Sequence, residues 1–371
     1  MATSLPTSRT PPNDRPEEAQ PGAVELKAFV LRLESRVREY LQPRPDRIEQ
    51  LDHLRHVADR TRWVYYSELQ RARPGASVRI PAHEDVLIEA CVFSHDIGKW
   101  IPREELKALI PEPGADLSLI FRELKFTNYQ SELFLLGVRR RFALEQDGYV
   151  PEYDSAHHLV SAFLLGTDPH LGFHQLAQAD QDRLINMIIG HQFGSYFKEQ
   201  LLALSILDDE VTTGMLVDVA RPDRVLGDTL ASAFHDADIA DLLMVGSLES
   251  RPNREEIFHT GGLVKILMIN FTNLIYGSPR APRTLNECLR SCQFTVTTVC
   301  AEFITPTAVE HGQKWRKQAR NFLTHLREKS VMRKLNDPLM ARGRPPQERL
   351  QTVRMQTYLQ ARSFLKSPDE E

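Results

Sequence analysis

Val86-Leu87-Ile88-Glu89-Ala90-Cys91-Val92-Phe93 runs through Ser94 into His95-Asp96-Ile97-Gly98-Lys99. The apolar run reads as a buried helix. The pentapeptide then sets a histidine, a carboxylate, a glycine stop and a lysine at its end. Two metal-ligand side chains and a cation therefore share one helix terminus, which is how a hydrolytic metal site can be anchored. The flanking segments repeat the helical period. Val24, Phe29, Val30, Leu33, Val37 and Leu41 form a stripe over Ala23 to Leu41, opposite a charged face. Asp46 is placed to cap a second helix from about Arg47 to Leu69. Further helices are expected around Glu132 to Glu145, from Ser155, from about Asp180 and from about Leu226. Few segments alternate with period two, so the sequence predicts an all-α fold with almost no sheet.

Composition bounds the rest. Of 371 residues, 42% are hydrophobic and 26% charged, the balance of an ordinary soluble globular protein with a sizeable core. Met1 to Pro21 is rich in Pro, Ser, Thr and Glu and lacks the apolar segment of a secretion signal. Residues 1–22 are thus expected to be a disordered tail. Leu263 to Ile275 is broken by Lys265, Asn270 and Asn273 and reaches about half the roughly 20 residues that span a bilayer, so it reads as a buried helix. Cys91, Cys288, Cys292 and Cys300 form no CxxC pair, which fits reduced core thiols of a cytoplasmic protein with no membrane association. Residues 23–276 read as one helical domain, with a polar excursion at about 102–153 expected as an insertion over the site rather than as core. Residues 277–371 read as a helical C-terminal extension.

Histidine and aspartate recur at the ends or inner faces of several of these helices: His53, His95, Asp96, His157, His191 and Asp238. Helices of a bundle can converge such side chains on a divalent ion. An aspartate beside a histidine can bridge two ions about 3.5–4 Å apart, and Asp96 is the candidate bridge. Lys99 is placed to neutralise a phosphoryl oxygen; its plainer reading is a solvated lysine after a glycine stop.

The order His53, His95-Asp96, Asp238 resembles the HD superfamily of metal-dependent phosphohydrolases over about Arg47 to Leu243. Val57 and Ala58 follow His53 as they follow the family's first histidine, which favours His53 over His56. The resemblance implies an HD-domain-like helical bundle and a metal-activated water that cleaves a phosphomonoester or phosphodiester of a nucleotide or nucleic acid. The subgroup that holds two ions has two more histidines. His157, followed by Ser161-Ala162, and His191, after Ile188-Ile189-Gly190, are similar to these. The implied ligand set is His53, His95, Asp96, His157, His191 and Asp238, for two ions among Mn, Fe, Mg, Ni and Zn, with Asp96 and Lys99 as catalytic residues. His56 and His158 remain alternatives to His53 and His157 and candidates for the proton donor. Asp236 and Asp241 compete with Asp238.

Departures from subfamilies narrow the substrate. Gln192-Phe193-Gly194-Ser195-Tyr196-Phe197 lacks the second histidine and the Gly-Tyr-Pro element of the HD-GYP cyclic-dinucleotide phosphodiesterases. Ile239 stands where deoxynucleotide triphosphohydrolases carry a basic residue. The nuclease domains of CRISPR-associated helicase-nucleases are similar around His157 and His191, but Gln192 replaces their second histidine. The same ligands also resemble diiron oxygenases of the superfamily such as myo-inositol oxygenase, the rival reading. Gln313 to Glu371 holds 14 Lys+Arg against 6 Asp+Glu, an excess of +8 in a chain of net charge -4. That basic stretch reads as a solvated charged helix or as a surface for an anionic partner such as nucleic acid.

Overall fold

The amphipathic stripe at the start of the chain forms α1 (Pro21–Leu41), which buries Phe29, Leu33, Val37 and Leu41 and leaves Val24 exposed. The structure, a computed structural model, describes residues 21–110, 117–143, 156–191, 227–250, 256–277, 282–298, 303–341 and 343–366. Residues 1–20 of the expected tail lie outside these, and Pro21 and Gly22 already belong to α1. Next comes α2 (Arg47–Ala72). Asp46 stands at its N-cap without capping it. Its carboxylate instead accepts from Arg44 and from the Gln50 side chain.

The decisive apolar run forms α3 (Ala82–Ser94), with Glu84 and Asp85 in its first turn, where the helix dipole favours negative charge. Gly98 does not stop that helix. The chain turns at His95-Asp96 and re-enters a single helical turn, α4 (Ile97–Trp100), that contains Gly98. Three helices follow: α5 (Arg103–Leu109), α6 (Ser118–Glu123) and α7 (Asn128–Ala143). The expectation that about 102–153 is insertion rather than core is corrected for its described residues, 102–110 and 117–143. Leu106, Leu117, Phe121, Leu124, Leu133 and Phe134 are buried, and the Phe134 ring meets Phe163 at 4.7 Å. These side chains are spaced too irregularly among charged residues to read as one stripe, yet each buried one is worth roughly 1.5–3 kcal/mol.

Helices α8 (His157–Thr167), α9 (Gln178–Gly190) and α10 (Thr229–Asp241) complete the first core. Asp228 caps α10, accepting from the backbone N–H groups of Leu230 and Ala231. Among the described residues the sheet is one antiparallel hairpin, β1 (Gly246–Ser250) with β2 (Glu256–Thr260), so the fold is all-α. Among the described residues, no helix is long and apolar enough to cross a membrane.

Helices α11 (Gly262–Tyr276), α12 (Leu285–Thr298), α13 (Pro306–Leu326), α14 (Lys329–Met340) and α15 (Pro346–Lys366) build a second core. It runs from Ile239 through Leu267 and Phe271 to Phe322, Leu335 and Val353, so apolar packing continues across position 277 without a break. Pro338 lies inside α14. Cys288 and Cys292 are buried on α12 as core thiols, and Cys300 lies outside the described residues. The two cores meet along α2: Glu68 accepts from the Thr307 N–H at 2.9 Å, and Glu49 pairs with Arg354 at 2.7 Å.

Candidate metal centre

Five elements converge on one buried point. His53 comes from the second turn of α2, His95 and Asp96 from the turn between α3 and α4, His157 from the first residue of α8, His191 from just past α9, and Asp238 from the last turn of α10. All six are buried. Ligand atoms of His53, His95 and Asp238 lie within 4.8 Å of one another, and so do those of Asp96, His157 and His191. The six residues expected from the sequence are thus brought together.

Asp96 stands between the two groups. Its Oδ2 is 3.7 Å from His53 Nε2 and 3.6 Å from His95 Nε2. Its Oδ1 is 3.3 Å from His157 Nε2 and 3.9 Å from His191 Nε2. Asp238 Oδ1 lies 3.4 Å and 3.8 Å from the Nε2 atoms of His53 and His95. Two donors each about 2.1 Å from a shared ion stand roughly 3.0–3.5 Å apart, so these separations suit common ions with little adjustment. The first position has four donors and the second three.

The outer nitrogens are fixed so that the inner ones face the centre. His95 Nδ1 donates to the Val92 carbonyl at 2.8 Å, and His191 Nδ1 to that of Ile188 at 2.5 Å. His53 Nδ1 donates to Asp241 Oδ2 at 2.7 Å, a carboxylate–histidine arrangement typical of metal ligands. His95 Nε2 is buried and has no hydrogen-bond partner among the described residues, as a nitrogen reserved for an ion would be. The Phe234 ring, 5.4 Å from His95, closes one side with apolar surface.

Electrostatics favour the ligating protonation states. Burial lowers the affinity of His95 and His191 for protons, bringing His95 down to about 4 and His191 well below the ordinary range. Burial also lowers His53, and the Lys265 ammonium on α11 adds to that shift. Burial alone would raise the Asp96 carboxyl. The Lys99 ammonium, with Nζ 2.7 Å from Oδ1 and 2.8 Å from Oδ2, and the imidazoles outweigh it and hold Asp96 well below the usual carboxylate range. Asp238 is the exception: burial dominates there and raises its carboxyl, against the ionised form.

Gly98 locks the turn to α8. Its N–H donates to Ser161 Oγ at 2.9 Å, and that hydroxyl donates to the His95 carbonyl at 2.8 Å. A Cβ at Gly98 would press on the His157 carbonyl oxygen and stand 2.7 Å from the Ser161 nitrogen.

The alternatives fall elsewhere. His56 Nδ1 is 3.4 Å from Asp241 Oδ1 and its Nε2 is 3.3 Å from Ser247 Oγ, behind His53 as seen from Asp96. His158 is buried beside His157 and His191, with ring centroids 5.7 and 6.2 Å away. Asp236 accepts from the backbone of Ile304 and Thr305 and ties α10 to α13. Sequence reasoning weighed Asp241 only as a competing ligand and missed it as the partner of His53. Its position three residues after Asp238, one turn along the same face, was the available signal. Lys265 and Phe234 carried no motif.

No protein-family model, curated protein or solved structure matches this chain.

Proposed function

We propose that the protein is a divalent-metal-dependent phosphohydrolase of the HD superfamily type, holding two ions and cleaving a phosphoester of a small phosphorylated molecule or nucleotide. One observation carries the reading: the two oxygens of Asp96 face different pairs of imidazoles, while Lys99 sits on the same carboxylate. His53, His95 and Asp238 would hold one ion and His157 and His191 the other, with Asp96 between them. Bound ions of this kind supply Lewis acidity and a water of lowered pKa at neutral pH.

The chain's own groups do the rest. Asp96 is ionised at pH 7 and can accept a hydrogen bond that orients the attacking water. Lys99, partly exposed at 18%, can swing from Asp96 to a phosphoryl oxygen and offset charge that develops there. His158 is held neutral by burial first and by His157 and Lys99 next, so it offers no acidic proton. His56, which burial would lower, is raised by Asp241, but it faces away from Asp96. The burial of every ligand suits a small substrate better than a polymer. On the C-terminal extension, Arg354 pairs with Glu49, and Arg362 and Lys366 pair with Glu256, so part of its positive charge is already used within the fold.

The test begins with metal content of anaerobically purified protein, followed by phosphoester hydrolysis under Mn, Mg, Fe, Ni and Zn and by oxygen uptake. Hydrolysis is expected, and the double variant His95→Ala, Asp96→Ala should lose it while keeping its helical circular dichroism. Retained activity in that variant would sink the assignment. Bound iron with oxygen uptake and no esterase activity under any ion would instead favour the oxygenase reading.

A further inference from the structure

His56 follows His53 by three residues, so the two imidazoles share one face of α2. They meet the same group. The Asp241 carboxylate, fully buried at the end of α10, accepts from His53 Nδ1 through Oδ2 at 2.7 Å and turns Oδ1 to His56 Nδ1 at 3.4 Å. Both atoms of the second contact are buried, and neither has a hydrogen-bond partner elsewhere among the described residues. A buried carboxylate oxygen or imidazole nitrogen left alone is costly, so each is the other's compensation for burial.

The chemistry fixes the direction of that contact. An ionised carboxylate has no proton to give, so His56 has to present Nδ1 as an N–H group. Its Nε2 stands 3.3 Å from Ser247 Oγ on β1, and a hydroxyl can either donate to that nitrogen or accept from it. The contact with Asp241 therefore survives whether His56 is neutral or protonated. From a third side α11 begins against the same carboxylate, where a Cβ at Gly262 would stand 2.7 Å from Asp241 Oδ2. His53, His56 and the bare Cα of Gly262 leave Asp241 little room to rotate.

We infer that His56 is a positioning residue of the metal centre: it holds Asp241 from behind, so that the carboxylate keeps His53 Nδ1 in line and His53 Nε2 aimed at the ion position. It acts through Asp241, and β1 supports it through Ser247. The inference rests on the metal-binding part of the function proposed above and is independent of which substrate is cleaved.

The experiment compares two near-isosteres in the full chain, with Mn(II) as the probe. Asparagine carries its amide nitrogen on the γ carbon, as histidine carries Nδ1, whereas glutamine carries it near the place of Nε2. His56→Gln should lower Mn(II) affinity in calorimetric titration by about threefold to tenfold, a smaller effect than loss of the carboxylate that touches the ligand. In metal-free protein it should speed exchange of the His53 Nδ1 proton with solvent, read by nitrogen-15 NMR. His56→Asn should keep most of the affinity and the slow exchange. In an Asp241→Asn background, His56→Gln should have little further effect, as expected when one residue acts through another. Equal losses in the asparagine and glutamine variants, or an undiminished loss in the Asp241→Asn background, overturn the inference, because a histidine that only fills space gives both. Unchanged affinity and exchange in His56→Gln overturn it as well. If the glutamine variant does not fold, Gly262→Ala presses on the same carboxylate from α11 and should lower Mn(II) affinity likewise; unchanged affinity there counts against the inference. A parent that binds no Mn(II) removes the metal-centre reading, and the exchange rates of His53 in metal-free protein then decide on His56 alone.

Discussion

The two halves of the metal centre share Asp96 but are built differently. The His53–His95–Asp238 half has four donors when Asp96 Oδ2 is included, and both its imidazoles are held from behind, by Asp241 and by the Val92 carbonyl. In the His157–His191 half only three donors face the centre, and the two Nε2 atoms stand 3.2 Å apart. A position with more donors binds more tightly, and one with fewer keeps sites for water and substrate. Under the proposed function, the difference would separate an anchoring ion from a working one.

The largest expected effect comes from deleting the smaller half. His157→Ala with His191→Ala should lower the metal content from two equivalents to one and remove hydrolysis, with the helical signal retained. Elemental analysis after dialysis checks the count, and loss of both ions would mean that the halves are not separable. Acid probes what the halves have in common, because burial keeps imidazoles of both neutral. In metal-stripped protein, the unfolded chain takes up protons at these histidines below about pH 6.5. Native His95 does not do so until about 4. Stability should therefore be fully present above pH 6.5 and decline as pH falls toward 4, by about 3 kcal/mol from His95 alone. Urea unfolding at a series of pH values measures it; a flat profile over that window would contradict the burial of neutral imidazoles. The smallest effect sharpens the comparison. Asp241→Asn leaves every ligand in place but weakens the brace on His53, so affinity for the anchoring ion should drop about 10–100-fold while the second ion is little affected. Equal losses at both positions would refute the division.

Helical period was enough to read the all-α fold, because stripes such as Phe29, Leu33 and Val37 repeat at the spacing of one helix face. It was insufficient for α5 to α7, where Phe134, for one, is buried against Phe163 of α8. The six clustered side chains were legible through the spacing shared with a known family, of which His95-Asp96 at a helix end is the most specific part. Residues acting through others were less so. Asp241 matters through one oxygen placed behind His53, and Gly262 through the close approach to that oxygen of a helix that begins 21 residues after Asp241. Neither relation exists until α2, α10 and α11 are packed. The glycine of the pentapeptide was seen, but for the wrong reason: the backbone conformation that ends a helix was inferred, whereas the position is occupied by another helix.

That closeness gives Gly98 a metric role. The hydrogen of Gly98 Cα is the spacer between the turn bearing His95-Asp96 and the start of the helix bearing His157, so the thickness of one residue sets the gap between the two groups of side chains. A methyl group there would leave every ligand in the sequence and still change the distance between them. The spacing of the centre is set by a methyl group that is absent.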